Sequence, residues 1–176
     1  GDKMDHYLIV VDMQNDFVTG ALGTKEAEAI VKNVEEKIRN HEGPVIFTKD
    51  THTPYYLQTQ EGEMLPVKHC IRDTQGWEIV PQLEGLISEK HAKVFEKETF
   101  GSTDLADYLL DREEEIESIE LIGLCTDICV VSNALMIKAF LPEIRMYVDS
   151  SCCAGVTPQK HEAALETMRS CQIHIR

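Results

Sequence analysis

Apolar residues along this chain fall into two alternating patterns. Short unbroken runs at 7–11 and 45–48 are rich in β-branched residues and read as strands buried on both faces. Between them, residues 24–39 put Ala27, Ile30, Val31, Val34 and Ile38 on one face at helical spacing. The Gly43-Pro44 pair stops that helix. The alternation continues with strands over 93–95, 118–124, 144–148 and 172–175, and helices over 102–110, 126–140 and 158–170. Pro158 suits the first position of the last helix. Strands alternating with helices of this length predict an α/β fold with a mostly parallel sheet. Residues 50–82 break the pattern. They carry aromatics, prolines and two histidines, and an irregular stretch that long in a compact protein points to function. Within it, Trp77, Ile79, Val80 and Leu83 look like a helical segment docking on the core. The acidic run 111–115 reads as a solvated helix end or turn.

Composition narrows the choice. The 176 residues, 43% of them hydrophobic, suit one domain with a full core over 1–176. No apolar run approaches the roughly 18 residues needed to span a bilayer. A net charge of −14 repels phosphate, so neither nucleic acid nor an anionic membrane is an expected partner. The N-terminus shows no basic-then-apolar leader, and a cytoplasmic location is expected. The six cysteines, Cys70, Cys125, Cys129, Cys152, Cys153 and Cys171, match no zinc-site spacing. Reduced thiols follow, with Cys152, Cys153 and Cys171 read as buried small hydrophobes. His91, His161 and His174 lack partners in sequence and read as surface or packing residues.

Candidate chemistry gathers where strands end. Asp12 follows the first apolar run, Asp50 and His52 the second, Lys97 the third and Cys129 the fourth. In an open parallel sheet those ends share one edge, where ligands bind at the reversal of strand order. Thr126 and Asp127 are good N-cap types, which puts Cys129 in a first helical turn, where the dipole favours thiolate. Cys129 is therefore expected to be the nucleophile and the most reactive thiol. Asp12 would carry its proton to a leaving amine, and Lys97 would favour both the thiolate and the ionised Asp12. Backbone N–H groups from Cys125 to Cys129 would stabilise an oxyanion. Phe17 and Trp77 are candidates to wall a pocket for a flat substrate.

The runs Leu8-Ile-Val-Val-Asp-Met-Gln-Asn-Asp-Phe17, Thr48-Lys-Asp-Thr-His52, Pro66-Val-Lys-His-Cys70, Val94-Phe-Glu-Lys97 and Gly123-Leu-Cys-Thr-Asp-Ile-Cys-Val130 resemble the isochorismatase-like cysteine hydrolases, nicotinamidase-related amidases in particular. The resemblance implies a three-layer α/β/α fold with a six-stranded parallel sheet in Rossmann-like order. It implies the triad Asp12, Lys97 and Cys129, and a cis peptide between Leu124 and Cys125 that turns the Cys125 and Cys129 N–H groups into an oxyanion hole. It also implies a divalent metal (Zn²⁺, with Fe²⁺ or Mn²⁺ as alternatives) on Asp50, His52 and His69, joined by Glu61. Where some members have a further His, Tyr55, Tyr56 and Leu57 stand here. The function implied is amide hydrolysis on a small carboxamide such as nicotinamide, in a homo-oligomer. An isochorismatase-type ether hydrolase and a catalytically silent binding protein on the same fold are the alternatives.

Overall fold

The computed structural model describes residues 4–176. Six parallel strands form one sheet in the order β3-β2-β1-β4-β5-β6. They are β1 (Asp5–Val11), β2 (Val45–Asp50), β3 (Lys93–Lys97), β4 (Ile116–Leu124), β5 (Arg145–Ala154) and β6 (His174–Ile175). The chain winds outward from β1 to β3, returns to lay β4 beside β1, and winds outward again to β6. The reversal between β1 and β4 opens a crevice at their carboxyl ends.

The alternation of side chains along β1 builds two cores. Leu8 and Val10 face α2 (Lys25–Asn40) and α4 (Pro81–Glu89); Tyr7, Ile9 and Val11 face α5 (Thr103–Leu110), α6 (Val131–Phe140) and α7 (Pro158–Ser170). This is the three-layer α/β/α arrangement. The five apolar residues expected on α2 are all buried, and the two valines and two isoleucines among them are each worth about 1.5–3 kcal/mol relative to exposure. The Thr24 hydroxyl caps that helix by accepting from the Ala27 N–H at 3.0 Å; Ser102 and Thr157 cap α5 and α7 in the same way. Among the described residues no helix is long and apolar enough to cross a membrane.

The structure corrects several expectations. Residues 126–140 are not one α-helix. Thr126–Val130 forms a π turn, with the Val130 N–H reaching back five residues to the Cys125 carbonyl at 3.1 Å, and α6 follows it. Cys125, not Thr126 or Asp127, stands at the cap position. The Thr126 hydroxyl instead meets His161 Nδ1 at 2.7 Å, and Asp127 accepts from the Val156 N–H at 3.0 Å. His161 therefore has a partner, and His174 stacks on Tyr147 at 5.2 Å. Strand β5 continues six residues beyond Val148, through polar positions that hid it, to Cys152, Cys153 and Ala154. Cys152 and Cys153 are buried as expected, but Cys171 is exposed.

The 50–82 stretch is less irregular than its sequence. It holds α3 (Gln60–Met64) and the start of α4, and a short α1 (Asn15–Val18) lies beside it. Trp77 sits in a single 3₁₀ turn rather than in the docking helix. Its ring lies under the Lys49 ammonium at 3.2 Å, and its N–H donates to Thr51. That keeps it away from the crevice. One glycine is required by close approach. Gly123 has φ +118°, and a Cβ there would sit 2.2 Å from the Val11 carbonyl oxygen, so β4 can lie against the end of β1 only without a side chain.

Candidate active site

Four strand ends deliver their polar residues to one place. Asp12, at φ +50° just beyond β1, is fully buried. One of its oxygens accepts from the Thr48 hydroxyl at 2.6 Å and the other from Lys97 Nζ at 2.7 Å. Lys97 Nζ also stands 3.4 Å from Cys129 Sγ, 3.5 Å from Asp50 Oδ1 and 3.1 Å from the Thr99 carbonyl. The lysine thus links Asp12, Asp50 and Cys129. The Leu124–Cys125 peptide is cis.

The electrostatics differ from the dipole argument. Burial, and then the Asp12 carboxylate, push the Cys129 thiol well above its ordinary value, against the pull of Lys97. A helix-end field of partial charges does not offset full desolvation. Burial therefore works against the expected resting thiolate and favours the neutral thiol at Cys129. Burial raises Asp12 as well, again against Lys97. Lys97 stays an ammonium because the Asp12 and Asp50 carboxylates, with the hydrogen bond to Asp12, outweigh its burial. Burial and Asp127 push Cys125 up to about 12, so it too is a thiol.

Beside this group stands a second. Asp50 Oδ2 lies 2.9 Å from His52 Nε2 and 3.5 Å from His69 Nε2. Glu61 Oε2, on α3, reaches the same nitrogens at 3.4 and 3.8 Å. His69 Nδ1 donates to the Val67 carbonyl at 2.7 Å, which aims Nε2 at Asp50. A histidine held by its second nitrogen in this way is a pre-oriented metal ligand. Ligand atoms of the buried trio Asp50, His52 and His69 lie within 4.8 Å of one another. Two imidazoles and carboxylates at that spacing fit a divalent ion such as zinc. Hydrogen bonds from His52 and His69 and the charge of Lys97 outweigh burial and hold Asp50 well below the carboxylate range.

A cavity of about 120 Å³ opens onto both groups, lined among others by Phe17, Leu65, Phe100, Ile128 and Val156 and by Cys125, Cys129, Asp50, Glu61 and His69. Phe17 is buried, its ring edge-on to His69 at 5.5 Å. Three side chains around the site were missed in sequence. Gln14 bonds both the N–H and the carbonyl of Asp50, each at 2.8 Å, as a strand would. Thr48 holds Asp12. Asn133 lies one turn beyond Cys129 among apolar residues. All three are buried polar side chains; for Asn133, a polar residue on a mostly apolar helix was the available signal.

The isochorismatase domain family matches residues 6–176, and the chain belongs to it. Nicotinamidase 1 of Arabidopsis thaliana is 34% identical over 143 residues, covering 70% of this chain and 56% of that protein. This chain therefore matches little more than half of that relative's length. The nicotinamidase/pyrazinamidase of Mycobacterium tuberculosis is 29% identical over 96% of each chain. A pyrazinamidase of Pyrococcus horikoshii, solved in complex with zinc, superposes with a TM-score of 0.81 at 30% identity over 98% of both chains.

Proposed function

We propose that this protein is a cysteine-dependent amidohydrolase that releases ammonia from a small carboxamide through a thioester at Cys129, with nicotinamide the first substrate to try. One observation carries this reading: a buried lysine holds Asp12 and Cys129 together at the edge of an apolar cavity. The names of the relatives support the substrate class.

The steps follow from the charges. Cys129 is a thiol at rest, so Asp12 takes its proton as sulfur attacks the carbonyl carbon. The raised Asp12 value suits a group that must both accept and return a proton. The Cys125 and Cys129 N–H groups receive the oxyanion. The C–N bond breaks as Asp12 passes its proton to nitrogen, and ammonia leaves. Asp12 then takes a proton from water, whose oxygen attacks the thioester. The C–S bond breaks, sulfur recovers its proton from Asp12, and the carboxylic acid departs. Lys97 remains an ammonium throughout and holds Asp12 and Cys129 in register. Phe17 packs against the flat face of the substrate. Asp50, His52 and His69, with Glu61 or water, would hold the divalent ion, which supplies a Lewis acid able to hold a ring nitrogen and orient the carboxamide. The free thiols suit a reducing, cytoplasmic compartment, and we take the assembly to be a homo-oligomer.

The test is ammonia release over a panel of small amides, with and without added zinc, iron or manganese. Turnover in wild type and none in Cys129→Ala is expected. Equal rates in both, across the panel, would remove the reading.

A further inference from the structure

Asn133 is fully buried on α6, a helix whose other inward residues are apolar. An amide there costs free energy unless its groups are satisfied. Each is. Its Oδ1 accepts from the Ser102 N–H at 2.8 Å. Its Nδ2 donates to the Cys129 carbonyl at 2.8 Å and to the Phe100 carbonyl at 3.2 Å. One side chain therefore ties the residue bearing the sulfur to the segment between β3 and α5.

That segment bears on the site in two ways. The Thr99 carbonyl accepts from Lys97 Nζ at 3.1 Å, so its position helps set where the ammonium points. The Phe100 side chain lines the cavity. The segment also packs on α6: a Cβ on Gly101 would meet the flexible tip of Met136 at 2.7 Å and the Ser132 carbonyl oxygen at 3.5 Å. Cys129 itself lies in a π turn with no side-chain cap, so its carbonyl contact to Asn133 is a fixed point for a turn that lacks one at its start.

We propose that Asn133 is a positioning residue, which holds the Cys129 turn in register with the segment that orients Lys97. The inference rests on Cys129 acting as the nucleophile.

Two substitutions separate its contacts. Asn133→Ala removes all three bonds. Asn133→Thr keeps a hydroxyl that can donate to the carbonyl four residues back, which is that of Cys129, and loses the two bonds to the segment. Amide turnover is measured with the inhibition constant of the product acid. Asn133→Ala is expected to lower kcat about 10- to 100-fold, the scale of a misplacement near 1 Å, with the inhibition constant changed less than about 3-fold. Asn133→Thr should recover part of the lost kcat. A readout independent of turnover is the pH midpoint for alkylation of Cys129, followed by mass mapping. Lys97, Asp12 and Asp50 are the charged groups that act on the sulfur. Loosening Lys97, the group that pulls the thiol down, should move the midpoint upward. A fall in melting temperature with kcat and midpoint unchanged would make Asn133 structural only and overturn the proposal. Identical kcat in Asn133→Ala and Asn133→Thr would overturn the contact to Cys129. Should Asn133→Ala not fold, wild-type kcat and midpoint in Asn133→Thr would overturn the link to the segment. A normal midpoint shift in a protein without amide turnover would leave the positioning intact and remove only the amidase reading.

Discussion

Two lysines in this fold each bridge two carboxylates. At the carboxyl edge, Lys97 lies 2.7 Å from Asp12 and 3.5 Å from Asp50. Across the fold, Lys37 on α2 lies 2.7 Å from Glu120 and 2.9 Å from Asp149, beside a wide open depression of about 690 Å³. The pairings look alike, yet Asp12 and Asp149 shift in opposite directions. Hydrogen bonds from Ser151 and Lys37 overcome the burial of Asp149 and hold it below the usual range. Burial overcomes Lys97 at Asp12 and raises it. The Lys97 side chain is 2% exposed and that of Lys37 24%. An ion pair open to water is a stable end point. The same pair sealed from water, with a second carboxylate and a thiol against it, holds its protons poised for transfer.

The largest effect should come from removing each lysine in turn. Lys97→Met leaves Asp12 and Asp50 facing each other without a cation, so kcat should fall about 10²- to 10⁴-fold. Lys37→Met should leave kcat within about 2-fold of wild type and cost roughly 1 kcal/mol of stability, after discounting for solvent screening. Steady-state kinetics and thermal melts of both variants check this. Comparable losses of kcat would erase the distinction between the two clusters.

Sequence reading found the Lys97 group because strand ends in a parallel sheet converge, so residue type at each end was enough to nominate Asp12, Asp50, His52, Lys97 and Cys129. It found the α/β alternation because the apolar face of α2 is periodic and the apolar runs of β1 and β2 are unbroken, while the three layers were implied by the family resemblance. It failed where local geometry and burial decide. Thr126 and Asp127 are good caps by type, but the five-residue reach of Val130 widens the turn and frees both side chains for α7 and Val156. The thiolate argument counted a dipole and a lysine and could not count desolvation. Lys37, Glu120 and Asp149 come from three elements with no shared motif, so nothing in sequence joined them.

The next effect comes from the imidazoles, which the Lys37 cluster lacks at its centre. In metal-free protein His69 is raised, since bonds to Asp50 and the Val67 carbonyl outweigh its burial. A raised group stabilises fully below its unfolded value and loses that contribution as pH climbs through the folded value. Asp50 is depressed, so its contribution is present above its unfolded value of 3.8 and is lost as pH falls toward the folded one. Metal takes the unprotonated imidazole, so protons compete with it. The melting-temperature gain on adding zinc to chelated protein should therefore grow from pH 6 to pH 8. At a concentration 100 times the dissociation constant it should correspond to about 2.7 kcal/mol. His52→Ala should flatten the gain. A gain independent of pH in wild type would mean that zinc does not bind through His69.

The smallest effect belongs to the open cluster and has a sign of its own. Asp149 is held below its unfolded value of 3.8. A depressed carboxyl contributes stability above the unfolded value and surrenders it as pH falls through the folded one. At neutral pH, Asp149→Asn should cost at most about 1 kcal/mol, because the pair is partly solvated. For a chain of this length that corresponds to roughly 2–4 °C in melting temperature. The wild-type advantage should hold down to about pH 4 and shrink below it as the carboxyl takes its proton. It should also shrink as salt rises, since screening acts on exposed pairs far more than on buried ones. Turnover should not change, because Asp149 touches neither Cys129 nor Lys97. An advantage that persists unchanged at pH 2 would show that Asp149 acts through the uncharged hydrogen bonds to Ser151. The two lysine clusters would then differ in kind as well as in burial.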